Sequence, residues 1–158
     1  MSATELWTDS YQGEVLGETI FGWLANNEKN PERKHQLQVL TRLERSTKEL
    51  AELVIERRGF ERGDTEATVA AGLETASAAA DMPWEDLMAG IIPIADEFLG
   101  KYRQLVELAS DDAERRIAQA YVAHEEALAS FARRSIGQET GEPLERILAL
   151  PHVVAASE

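Results

Sequence analysis

Apolar residues recur every three or four positions over long stretches of the chain, separated by short breaks rich in Gly, Pro, Asn and Asp. The clearest run is Leu37, Leu40, Leu43, Leu50, Ala51, Val54 and Ile55. A period near 3.6 predicts amphipathic helices. Thr8, Asp9 and Ser10 offer caps for a first helix ending near Asn27. "NNEKNPE" reads as a turn, and Pro31 opens a second helix that runs to Arg58 and stops at Gly59. Asp64 or Thr65 caps an alanine-rich third helix ending near Ala80. A fourth helix starts around Pro83 and reaches about Leu108, with Pro93 a potential kink. Ser110, Asp111 and Asp112 cap a fifth, which ends near Ile136 and Gly137. "PLERILAL" predicts a short last helix stopped before Pro151, and the tail "HVVAASE" reads as frayed.

No clear run of alternating β-branched residues appears, so strand is not expected. Four of the helices are long, and the link between the second and the fourth is itself helical. Two antiparallel hairpins joined by a crossover describe a four-helix bundle. The expectation is an all-α single domain over residues 1–158.

Composition narrows the chemistry. The chain has 158 residues and no cysteine, which excludes disulfides, thiolate metal sites and cysteine nucleophiles. Its 29 acids outnumber 16 bases, for a net charge of -13. Such a surface repels phosphate backbones, so no nucleic-acid partner is expected. "MSATELWTDS" has neither a basic region nor an apolar run, so no signal peptide is expected. The apolar stretch "LMAGIIPIA" is about half of a membrane span. The expected setting is cytoplasmic, without a membrane partner.

Polar residues on the apolar faces are more informative. At about 100° per residue, Glu44 and Thr47 fall inside the apolar stripe of the second helix. Glu14 and Glu18 share the face of Gly17, Phe21, Leu24 and Ala25. In "AYVAHEEALASFARR", His124 lies in the stripe of Ile117, Tyr121, Leu128 and Phe131, with Glu125 at its edge and Glu126 outside. The fourth helix is expected to bury Leu87, Ile91, Ile94, Phe98, Tyr102 and Leu105, with Asp96 and Glu97 off that stripe. Counting from the hairpin turns puts Glu14 level with Glu44, and His124 level with Ile94 to Ala95. A buried carboxylate costs several kcal/mol unless it is paired, protonated or metal-bound. Two arrangements meet that cost. One is a hydrogen-bonded network from Glu44 to His124, closed by Thr47 and Tyr121; the other is a metal held by carboxylate and imidazole.

The order Gly13-Glu14, Phe21, Leu24-Ala25, then Glu44, resembles the ferritin-like di-iron carboxylate superfamily, nearest the cyanobacterial aldehyde-deformylating oxygenases. The match covers the first two helices, and only the layout of the fourth and fifth. The resemblance implies a ferritin-like bundle in which two helices each give one Glu and two give Glu-x-x-His. Glu14 matches the first Glu. Glu44-Arg45-Ser46-Thr47 keeps the Glu and has Thr47 in place of the His. Tyr121-Val122-Ala123-His124 keeps the His and has Tyr121 in place of the Glu. Ile91 or Ile94 stands where the last Glu belongs. Half the ligand set is therefore replaced. Glu14, Glu44 and His124 remain as a mononuclear candidate, with Glu18 or Glu125 as a further ligand. Such mixed oxygen and nitrogen donors suit Fe(II), Mn(II) or Zn(II). A metal there would activate oxygen or peroxide beside Tyr121. The alternative is the same fold with no cofactor, serving as a dimeric or ligand-binding module. An exposed apolar face on the third or last helix would favour it. A homodimer and a small-molecule substrate belong to these expectations.

The remaining candidates have simpler readings. His35 and His152 are expected to be exposed, because neither has a carboxylate at motif spacing. Trp7, Trp23 and Trp84 read as core or interface residues. "SDDAE" reads as a helix start, and "ERRGFER" as a helix end with its loop.

Overall fold

The computed structural model describes residues 1–157. Every element among them is an α-helix. The helices fall into two compact units, Met1–Asp81 and Met82–Glu158. None is long and apolar enough to cross a membrane.

The first unit contains α1 (Ala3–Asn27), α2 (Pro31–Arg58) and α3 (Thr65–Ala78). Helix α1 begins well before the expected Thr8–Ser10 cap. The cause is a capping box: the Ser2 hydroxyl accepts from the Glu5 backbone N–H at 3.2 Å, and the Glu5 carboxylate accepts from the Ser2 N–H at 2.7 Å. Ser10 is instead internal and donates to the Leu6 carbonyl at 2.6 Å. The bounds of α2 agree with its signals. Asn30 caps the Glu32 and Arg33 N–H groups ahead of Pro31, and Gly59 ends the helix at φ 66°. Asp64 caps α3 through the Ala67 N–H at 3.0 Å. Helices α2 and α3 both pack on α1. At Gly72 a Cβ would come within 2.8 Å of Thr19, so only glycine lets α3 lie this close. The loop before α3 is tied down from α1: Thr8 donates to the Glu61 carbonyl at 2.7 Å and Gln12 to that of Arg62 at 2.5 Å. Leu6, Trp7, Leu37, Leu40, Leu43, Ala51, Val54 and Ile55 are buried.

The second unit contains α4 (Trp84–Glu107), α5 (Asp112–Ser135), α6 (Glu145–Leu148) and α7 (Pro151–Ser157). Helices α4 and α5 form an antiparallel pair, joined by a Tyr102–Tyr121 edge contact at 4.7 Å and an Asp96–Arg133 ion pair at 3.2 Å. The start of α5 satisfies its own backbone. Asp111 accepts from the Glu114 N–H at 2.8 Å, and the buried Glu114 carboxylate accepts from the Ser110 N–H. The α4 stripe differs from the expected one. Met88, Ile91, Ala95, Tyr102 and Leu105 are buried, whereas Ile94 is 55% exposed. Helix α4 is apolar over much of its circumference, and periodicity does not say which part of a wide apolar face turns inward.

The tail also differs from expectation. Pro151 begins α7, and Val153 is fully buried. Arg134 organises the approach to it. Its guanidinium donates to the Glu139 and Glu145 carboxylates and to the Glu142 carbonyl, each at 3.0 Å. Gly141, at φ 120°, passes so close that a Cβ would lie 2.8 Å from that guanidinium. The loop between α5 and α6 is thereby held on α5.

Candidate metal centre

In the first unit, Glu14 and Glu44 are buried at 1% and 5% exposure, and Thr47 is fully buried. Glu44 owes its place to a missing side chain on the facing helix. A Cβ on Gly17 would stand 2.5 Å from the Glu44 carboxyl carbon, so glycine opens the notch that this carboxylate fills. Thr47 donates its hydroxyl to the Leu43 carbonyl at 3.0 Å, a common way for a threonine to satisfy itself inside a helix. Glu18 has a different environment. One carboxylate oxygen takes the Arg45 Nε at 2.8 Å and the other the Lys48 Nζ at 2.5 Å. Partial burial pushes its pKa up, but Lys48 and Arg45 outweigh that and hold it below the ordinary value.

In the second unit, Tyr121 and His124 are both fully buried one helical turn apart. Glu125, which the sequence puts at the stripe's edge, is buried at 5% exposure. Its Oε1 lies 3.6 Å from His124 Nε2, within ion-pair range. Tyr121 meets Tyr102 across the pair, one turn before His124 on α5. Ile91, one of two positions where the resemblance calls for a Glu, is buried at 8% exposure.

His152 is the residue that sequence reasoning misses. It was expected to be exposed, but it is only partly accessible in α7, next to buried Val153. Burial, followed by the nearby His124 imidazole, lowers its pKa to about 4. The available signal is Pro151 at a first helical position ahead of two valines, which reads equally well as a helix restart. His35 is exposed as expected.

The donor chemistry is that of a hard to borderline cation. Glu14, His124 and Glu125 are all buried and each offers a ligand atom. Carboxylate oxygen and imidazole nitrogen fit Fe(II), Mn(II) or Zn(II), and no thiolate is present to favour softer metals. No protein-family model, no curated protein and no solved structure matches the chain.

Proposed function

We propose that this is a ferritin-like helical protein that binds one transition-metal ion, Fe or Mn, through buried carboxylates and an imidazole. The carrying observation is the burial of Glu14, Glu44, His124 and Glu125, each at 5% exposure or less. Charged side chains are almost never this buried unless paired or metal-bound. His124 and Glu125, with Nε2 and Oε1 3.6 Å apart on α5, form the core of the proposed ligand set, and Glu14 and Glu44 are the further candidate carboxylates. A bound metal would supply oxygen or peroxide activation. The chain's own part is to hold deprotonated ligands away from water, with the Tyr121 phenol one turn from His124.

Metal analysis after anaerobic reconstitution with Fe(II) or Mn(II) tests this. One equivalent is expected in the wild type, and a large loss in His124→Ala and Glu125→Ala. An empty wild-type protein after reconstitution would sink the reading. A second reading, a metal-free ligand-binding module, draws support from Leu73 on α3 and Leu148 on α6, which are 45% and 41% exposed.

A further inference from the structure

The first unit has a groove along α1, not lined by the proposed ligands Glu14, Glu44, His124 or Glu125, with walls of unlike character. It extends from Tyr11 to Asn26, about 22 Å of helix at 1.5 Å per residue, and is an open cleft of about 440 Å³. Helix α2 supplies a polar wall of Thr41, Arg45 and Lys48, and α3 an apolar wall of Val69 and Leu73. Trp23 and Gly22 line the groove from α1.

Charge defines what fits. Glu18 engages Arg45 through Nε and Lys48 through Nζ, fixing both cations on the wall. One carboxylate against two cations leaves one positive charge, in a chain whose net charge is -13. The Arg45 side chain is 54% exposed, and its two η nitrogens have no hydrogen-bond partner among the described residues. A guanidinium edge already oriented by Glu18 matches a carboxylate, at little further ordering cost. The volume falls within the range of small-molecule sites, which begin near 300 Å³.

We propose that this groove binds a small amphipathic monocarboxylate, its acid on Arg45 and Lys48 and its flat apolar body between Trp23 and Leu73. The site is independent of the metal reading, and metal-free and reconstituted protein bind alike.

Calorimetric titration of the full chain with 1-naphthylacetate, and with its neutral amide, tests the proposal. The acid binds at one site, about tenfold tighter than the amide, the increment expected of one charged hydrogen-bonding contact. Arg45→Met brings the acid down to the amide's affinity and leaves the amide unchanged, which also shows that the groove is intact. Leu73→Asp, at an exposed position, weakens both. Three results would overturn the proposal: no saturable binding of the acid, equal wild-type affinities for acid and amide, or indifference to Leu73→Asp.

Discussion

Glu44 fits because position 17 has no side chain. Gly17→Ala therefore forces a buried carboxylate to move, at an expected cost of about 1–3 kcal/mol. In a Glu44→Ala background the clash is gone, and the same change should gain up to about 1 kcal/mol of helix propensity. Chemical denaturation of the four proteins in that cycle checks the change of sign. Glu18 gives a second residue-scale prediction. Its folded pKa lies below the ordinary 4.5, so its ion pairs contribute stability above that pH. That contribution is lost as pH falls through the folded value, and Glu18→Gln should flatten the acid limb of a stability curve below about 4.5. The inward positions of Glu14, Glu44 and His124 were legible from the 100° rule because each shares a stripe with neighbours on one narrow face. Glu18 also lies on such a face, but its partnership with Arg45 and Lys48 was not legible. Nothing local in α1 specifies which α2 residues it meets.

At the scale of elements, the terminal devices explain both what could be read and what could not. Asn30-Pro31 and Gly59 bound α2 unambiguously, because a cap, a proline and a left-handed glycine agree. Around α1 two cap candidates compete, and the Ser2–Glu5 reciprocal bonds prevail over Thr8–Ser10. Helix α7 was not legible because Pro151 reads equally well as a stop and as a first helical residue, and because the segment ahead of α6 is held by Arg134 through Glu139, Glu142 and Glu145. Arg134→Met should loosen the segment leading to α6 and α7 and let water reach His152. Histidine NMR titration should then find the His152 pKa moving from about 4 back toward 6.5. In the wild type that depressed pKa means the unfolded chain binds a proton first. Stability should fall as pH drops from 6.5 toward about 4, and His152→Gln should remove that slope.

At the scale of the whole molecule, the net charge of -13 sets the background for every ligand. It favours cations and disfavours anions except where local bases prevail, as Arg45 and Lys48 do on α2. The proposed metal ligands are buried in the folded chain. Metal should therefore stabilise the folded chain by mass action, by about 2.7 kcal/mol at a hundredfold excess over Kd. Thermal unfolding with and without Mn(II) reads this directly, and His124→Ala should abolish the shift. The all-α class was legible because Ala, Leu, Glu and Arg dominate a 3.6-residue pattern. The α4 stripe was not, because Ile91, Ile92 and Ile94 are chemically alike and only packing sorts them.

The Gly17 notch also constrains how this sequence can diverge. A side chain at position 17 displaces the carboxylate at 44, so the less costly order of substitution is loss of Glu44 first, then growth at 17. A diverged copy with alanine at 17 is therefore expected to lack a carboxylate at 44. A copy that retains Glu44 is expected to retain the glycine, whatever has happened to its histidine.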